Sequence, residues 1–253
     1  MKNSLRVTLL FFAFLQAATL AAQERYTVKS GDPNGINKWY MGRQIAQVMS
    51  HFGIGWLERE EREQEENTTQ LVKNLDIKPG QVIADIGAGS GYHSTLLSKM
   101  VGDGKVYAVD VEPEMIAYLN DRIKLEGTKN IIPVLSTEQK VSLLSNSIDM
   151  MLLVDVYHEF SFPYEMALSM LDALKPGGKL VLVEFRAEDP NVPIKTIHIN
   201  KSPIVISNLK TLSPEMAQRW GVDMAQALRH AEAAGIPRDT PWFKLTKEQQ
   251  QWV

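Results

Sequence analysis

Apolar residues fall in this chain as short runs separated by longer stretches of helical spacing. Val82 to Ile86, Gly104 to Asp110, Asn130 to Leu135, Ile148 to Val154 and Leu180 to Phe185 each carry a strand signal. The Ile148 to Val154 run is almost continuously apolar, as a strand buried on both faces should be. Pro133 weakens the case for the third run. Between the runs lie helical stripes: Leu71, Val72 and Leu75; Leu96, Leu97 and Met100; Met115, Ile116, Leu119 and Ile123; Met166, Met170, Leu171 and Leu174. Pro113 and Pro163 suit first helical turns, and Pro79-Gly80, Gly102-Asp103-Gly104 and Gly177-Gly178 punctuate the alternation. Strand and helix in alternation predict an α/β fold, a doubly wound, Rossmann-like, mostly parallel sheet with helices on both faces.

The flanks are less regular. Residues 25–42 hold Gly31-Asp32-Pro33-Asn34-Gly35 and predict an irregular arm anchored by Trp39 and Tyr40. Ile45, Val48, Met49 and Phe52 predict a helix over about 41–52, ended by Gly53 and Gly55. After His198, Ile204 to Ile206 is the one clear strand candidate, and residues 216–234 and 246–253 read as helices. The expected organisation is residues 1–22 as a signal peptide, 23–67 as an N-terminal arm and helical cap, 68–190 as the core, and 191–253 as an atypical C-terminal extension.

The candidate chemistry sits where strand gives way to helix. Asp85-Ile86-Gly87-Ala88-Gly89-Ser90-Gly91 places three glycines at alternate positions before a helix start, which lets a ligand approach the main chain. By itself such a motif is also what an ordinary glycine-rich turn looks like. Its partners are Asp110, ending the second strand 19 residues past Gly91, and Asp155, following the strand that begins at Ile148. In a doubly wound sheet all three carboxylates lie at the carboxyl ends of strands, where ligands bind.

Together these residues resemble the class I S-adenosylmethionine-dependent methyltransferase family over roughly residues 71–188. Asp85 stands two residues before the first glycine, the third glycine comes one position earlier than in nicotinamide dehydrogenases, and Pro176-Gly177-Gly178 precedes a late strand. The resemblance implies S-adenosylmethionine as cofactor. It implies that Asp85, Gly87, Ala88, Gly89 and Gly91 hold the methionine part, that Asp110 with Val111 takes the ribose, and that Thr137 and Glu138 lie near the adenine. Asp155 would begin the segment facing the transferred methyl. Tyr157 and His158 follow it, either orienting or deprotonating an acceptor or packing within their own loop. This family usually closes its sheet with an antiparallel strand pair, which the C-terminal pattern does not supply.

Composition narrows the setting. The chain has 253 residues, 44% apolar, with a net charge of −3 and no basic tract interleaved with aromatics, so nucleic acid is not the expected partner. Cysteine is absent, which removes disulfides, thiolate chemistry, lipid attachment and likeness to arsenite-methylating enzymes. Lys2 and Arg6 precede an apolar run from Val7 to Leu20 and then Ala21-Ala22, the three parts of a signal peptide. The expected location is therefore periplasmic or secreted, the alternative an uncleaved membrane anchor. A cofactor made in the cytosol leaves three outcomes for an exported chain: outside supply, an inward-facing anchor, or lost catalysis. Two functional alternatives accompany the methyltransferase: a cofactor-binding protein without turnover, and a nicotinamide oxidoreductase.

The charged run from Glu58 to Glu66 reads as a solvated helical face, or as a lip of the substrate site with Trp56 and Arg59 at its edge. His93 reads as an exposed helix-start residue or one near the cofactor. His51 and His198 lack ligand spacing to a second metal-binding residue, so no metal site is expected. The acceptor is a small molecule or an envelope component.

Overall fold

The computed structural model describes residues 25–184 and the backbone of a strand at 206–208. The expected signal peptide, the two tail helices and His198 lie outside these residues.

Residues 26–46 are a three-stranded antiparallel sheet: β1 (Tyr26–Val28), β2 (Gly35–Tyr40) and β3 (Arg43–Ala46). This corrects both the irregular arm and the helix over 41–52. Met41 and Gly42 have φ of 50° and 80°, the two left-handed positions that a two-residue hairpin turn requires. Gln44, buried on β3, accepts the Asp32 amide at 2.7 Å and donates to the Asp32 carbonyl at 3.0 Å, pinning the loop between the first two strands. The residues that suggested a helix divide among separate elements, and Phe52 is 87% exposed.

The second unit runs from Val48. A single 3₁₀ turn (His51–Gly53) leads into three short helices, α1 (Ile54–Leu57), α2 (Arg62–Glu66) and α3 (Thr68–Asn74). There follow β4 (Val82–Ile86), α4 (Tyr92–Met100), β5 (Lys105–Asp110), α5 (Pro113–Glu126), β6 (Ile131–Leu135), β7 (Ile148–Val154), α6 (Pro163–Ala173) and β8 (Leu174–Val183). The proline at the start of α5 and of α6 occupies a position where a missing N–H costs nothing.

The sheet order is β6-β5-β4-β7-β8-β9, with β9 at Ile206–Asn208. The first five strands are parallel and β9 runs antiparallel to β8. An antiparallel closing strand is therefore present, starting where the Ile204 to Ile206 candidate ends. Pro133 is tolerated because β6 is the edge strand. The Gly177-Gly178 pair does not precede β8 but sits within it, where the register against β7 jumps between Ile148 and Met150.

Period-two alternation sends each strand's residues into two apolar layers. Ala84, Ile86, Met151 and Leu153 pack with Met166 and Met170, while Ile83, Val106, Met150 and Leu152 pack with Leu97 and Leu119. Strand order reverses between β4 and β7, with β5 and β6 on one side and β8 on the other. That reversal opens a crevice at the carboxyl ends of these strands.

Candidate active site

The crevice is built on the loop after β4. The Gly87 and Ala88 amides both donate to the Val109 carbonyl, at 2.8 and 2.9 Å, and the Gly91 amide donates to the Ala88 carbonyl at 2.8 Å. The Gly89 amide donates to Asp110 Oδ2 at 2.8 Å, and the Glu112 amide donates to Asp110 Oδ1 at 3.0 Å. Asp110 thus ties the glycine loop to the turn that follows β5. Gly89 has φ of +53°, where a side chain is strained, and a Cβ there would lie 2.8 Å from Leu57 Cδ1, so the tip of Leu57 on α1 would have to shift.

Asp85, Asp110 and Asp155 come together at the tips of the adjacent strands β4, β5 and β7, respectively, and all three border one cleft with Gly87, Ala88 and Gly89. Asp85 is buried, accepts Ser94 Oγ at 2.6 Å, and has its pKa pushed up to about 6 by burial, against the pull of the Ser94 bond and the Arg62 charge. Burial likewise raises Asp110. Asp155 takes a left-handed φ of 52°, donates its amide to the Val183 carbonyl at 2.8 Å, and leaves Oδ1 enclosed without a hydrogen bond. Its pKa is pushed up to about 7, first by burial, with the His158 charge opposing and Glu184 reinforcing. Val111, Thr137 and Glu138 also border the cleft, the last two on a turn closed by the Thr137 amide to the Lys140 carbonyl at 3.0 Å.

Tyr157 and His158 depart from expectation. They lie on the 3₁₀ turn Tyr157–Glu159, but the cleft lining includes neither. His158 is 1% exposed and bonds through Nδ1 to Glu184 Oε2 at 2.8 Å; Glu184 Oε1 accepts the Val156 and Tyr157 amides. Burial alone would lower the His158 pKa, yet the Glu184 bond, with the charges of Glu184, Asp155 and Glu159, holds it above the ordinary value. The residue of this turn that reaches the cleft is Glu159, 8% exposed, which accepts the Met49 amide at 3.1 Å. Its pKa is pushed up to about 7 by burial, with the His158 charge opposing. Its one sequence signal was its place directly after His158.

The charged run is not simply a solvated face. Glu60, Glu61, Gln64 and Glu65 are exposed, but Arg62 is buried and Glu58 and Glu66 are half-buried. Glu58 accepts Ser90 Oγ at 2.5 Å and Arg122 Nη1 at 2.6 Å, and Arg122 donates to the Ser90 carbonyl at 3.0 Å. These contacts hold residues 54–66 over the glycine loop as a cap. Trp56, Leu57 and Arg62 border the cleft, and the Arg59 guanidinium stacks 4.0 Å from the Trp56 ring. His93, expected to be exposed, is buried on α4 and borders the same cleft.

Two groups of side chains come within metal-ligating reach among the described residues: His51 with Glu112 and Glu114, and Asp155 with His158 and Glu184. Sequence spacing did not bring His51 to its partners, which stand at the start of α5, Glu112 at its N-cap and Glu114 in its first turn. In the second group Glu184 already accepts three hydrogen bonds, so its oxygens are committed to shaping the loop.

The electrostatics of the cleft select for a cation. Five acids, Asp85, Asp110, Glu138, Asp155 and Glu159, border it with a single buried guanidinium. A pyrophosphate needs loop amides and a positive field, whereas here the Gly87, Ala88, Gly89 and Gly91 amides are engaged within the protein.

Residues 83–178 match the methyltransferase domain family. Residues 183–240, nearly all outside the described part, match the exonuclease I SH3-like domain. The chain is similar to a protein-L-isoaspartate O-methyltransferase of Aeropyrum pernix, 29% identical over 53% of this chain and 48% of that protein. It is similar to a tRNA U34 carboxymethyltransferase of Desulfotalea psychrophila, 30% identical over 70% of this chain and 56% of the other. A ubiquinone/menaquinone biosynthesis C-methyltransferase of Legionella pneumophila is 35% identical over 43% of this chain and 44% of its own. The chain spans about half the length of these curated relatives. Among solved structures, a SAM-dependent methyltransferase of Aquifex aeolicus aligns with a TM-score of 0.57 and 28% identity, covering 60% of this chain and 82% of that one.

Proposed function

Because this chain belongs to the class I S-adenosylmethionine-dependent methyltransferase family, we propose that it moves the sulfonium methyl of S-adenosylmethionine onto a small-molecule or cell-envelope acceptor. The observation that carries this reading is the ring of Asp85, Asp110 and Asp155 around the glycine loop, with Asp155 Oδ1 enclosed and without a hydrogen bond, His158 Nδ1 standing 3.7 Å away. A buried carboxylate oxygen without a donor is costly, by about 1–3 kcal/mol, and a cationic ligand removes that cost. The residues present therefore fit an amino-acid sulfonium joined to a nucleoside.

Bound there, the sulfonium supplies an already activated methyl, so alignment and exclusion of water are what the protein contributes. Asp110, held from both sides by the Gly89 and Glu112 amides, presents its remaining lone pairs to the ribose hydroxyls. Asp85 and Asp155 face the cationic part. Leu57 and Trp56, on the cap, keep the glycine loop dry. Glu159, with its pKa near neutrality, is placed to take a proton from an acceptor that must lose one. The relatives' names point to three different acceptors, and this chain's acceptor is not carried over from any of them.

Calorimetric titration with S-adenosylmethionine tests the reading. Micromolar binding is expected, weakened at least about tenfold in Asp85→Ala, in line with loss of a charge-assisted contact. Unchanged affinity in that variant would refute it, as would tighter binding of reduced nicotinamide dinucleotide.

The first 22 residues support a site of action outside the cytosol. Lys2, Arg6, the Val7 to Leu20 run and Ala21-Ala22 support export, with the catalytic unit in the periplasm or outside. Intact-mass analysis of protein recovered from the envelope fraction should give a mature chain starting near Gln23; an unprocessed chain would instead support the anchored form.

A further inference from the structure

The described residues that border the cleft fall into two halves. Those at the ends of β4 and β5 and on the turn after β6 are the ones the cofactor reading uses. The other half is built by the tip of β7, the turn that follows it, α6, the start of the second unit and α1, and its walls are apolar: Val48, Met49, Trp56, Phe160 and Met166. Two of these are aromatic and two are methionines, side chains that pack well on the faces and edges of a ring.

Polar groups in this half are few. Asp155 faces the cationic part of the cofactor in the reading above, and Ser161 Oγ is turned to Glu138 Oε1 at 3.5 Å. Glu159 is left over. Its Oε2 accepts the Met49 amide at 3.1 Å, which pins the carboxyl group beside an apolar wall residue, and its Oε1 lies 3.8 Å from His158 Nε2. Glu184 holds His158 in turn through Nδ1 at 2.8 Å. A carboxylate fixed from two sides among apolar walls is placed to receive a proton from a group within hydrogen-bond reach.

Charge narrows what this half can take. Asp155, Glu159 and Glu184 gather around one imidazole, so an acceptor bearing a carboxylate or phosphate would meet like charge in a poorly solvated place. An ammonium has no lone pair to offer the methyl, and apolar walls solvate it badly. A neutral amine has its lone pair already and leaves Glu159 without a task. A neutral hydroxyl on a ring avoids these costs, since the walls cover the ring and its proton is what it must lose to become a strong nucleophile.

We propose that the methyl acceptor is an uncharged, apolar molecule with a phenol-type hydroxyl, its ring held by Met49, Trp56, Phe160 and Met166 and its proton received by Glu159. The assignment rests on the cofactor reading above and adds the class of acceptor. In the transfer, an oxygen lone pair forms the new bond to the methyl carbon as the carbon–sulfur bond breaks, its electron pair staying on sulfur, and the hydroxyl proton passes to the Glu159 carboxylate.

Three acceptors that share one ring and tail, para-propylphenol, para-propylaniline and para-propylbenzoate, test this with the full chain and methyl-labelled S-adenosylmethionine. Label is expected on the phenol oxygen, with transfer to the amine or carboxylate at least about tenfold slower. Glu159→Gln should lower kcat with para-propylphenol about 100-fold, the size of a lost general base, and change S-adenosylmethionine affinity by less than about threefold. With para-nitrophenol at about pH 9, an acceptor already ionised, the same variant should lower kcat by less than about threefold. Loss of the Met49 contact alone would not produce that split. Faster transfer to the aniline or benzoate overturns the acceptor class, as do equal effects of Glu159→Gln on both phenols, or no transfer to any probe by a protein that binds S-adenosylmethionine in calorimetry. Each of these leaves the cofactor reading in place. A chain that does not bind S-adenosylmethionine overturns both.

Discussion

Gly91→Val should lower the stability of the protein by about 3–5 kcal/mol, a drop in melting temperature on the order of 10 °C for a chain of this size. Gly91 is the N-cap of α4 with φ of +82°, a conformation that costs a branched residue about 1–3 kcal/mol. The second cost is steric. A Cβ at this position would lie 2.4 Å from Leu119 Cδ2, and Leu119 is fully buried between α5 and the sheet, so it has nowhere to retreat. Gly127→Ala provides the control. Gly127 caps α5 with φ of +67° but has nothing within 4 Å of a Cβ, so that variant carries only the backbone term, about 1 kcal/mol. Thermal melts of both variants beside the parent check the contrast, and equal losses would show that the contact with Leu119 does not matter.

Asp155→Asn should stabilise the ligand-free protein at pH 8 by about 2 kcal/mol while abolishing cofactor binding. Asp155 and Glu159 are acids whose folded-state pKa values, each about 7, stand above their unfolded values. Between pH 4 and 7 the native state therefore holds more protons than the unfolded chain, and stability falls as pH rises through that window. His158, whose pKa is raised, contributes stability that is complete below pH 6.5 and is lost as pH climbs through its folded value. These three and Asp85, whose pKa of about 6 is also raised, together outweigh buried neutral His93, which adds stability as pH rises to about 6.5, so the parent protein should melt lower at pH 8 than at pH 5. The asparagine variant removes one of the three and should flatten that slope. Melting curves across pH 5 to 8 read out both effects; a parent that melts higher at pH 8 contradicts the account.

What could be read from residue order alone was the part in which local pattern and tertiary role coincide. The runs at Val82, Ile148 and Leu180 are apolar because both sheet faces are covered, and the aspartates at the ends of the Val82, Lys105 and Ile148 runs are carboxylates of the cleft. The hairpin at Met41-Gly42 was missed because Ile45, Val48, Met49 and Phe52 mimic a helical stripe, and a methionine in a left-handed turn position gives no signal of its own. Arg62, His93 and Glu159 were missed or misplaced for a different reason. Each is a polar residue in a polar stretch, and its burial is produced by the cap folding onto α4 or by Met49 meeting the turn after β7. Contacts between residues so far apart along the chain leave no periodicity to detect. Pro133 misled in the opposite sense, since only the strand order shows that β6 has an open edge.

Asp110 spends one oxygen on the Gly89 amide and the other on the Glu112 amide, so its carboxylate plane is locked before anything arrives. A sugar docking there would meet an acceptor already aimed, and the rotational freedom that a lone aspartate would surrender on association was given up during folding instead.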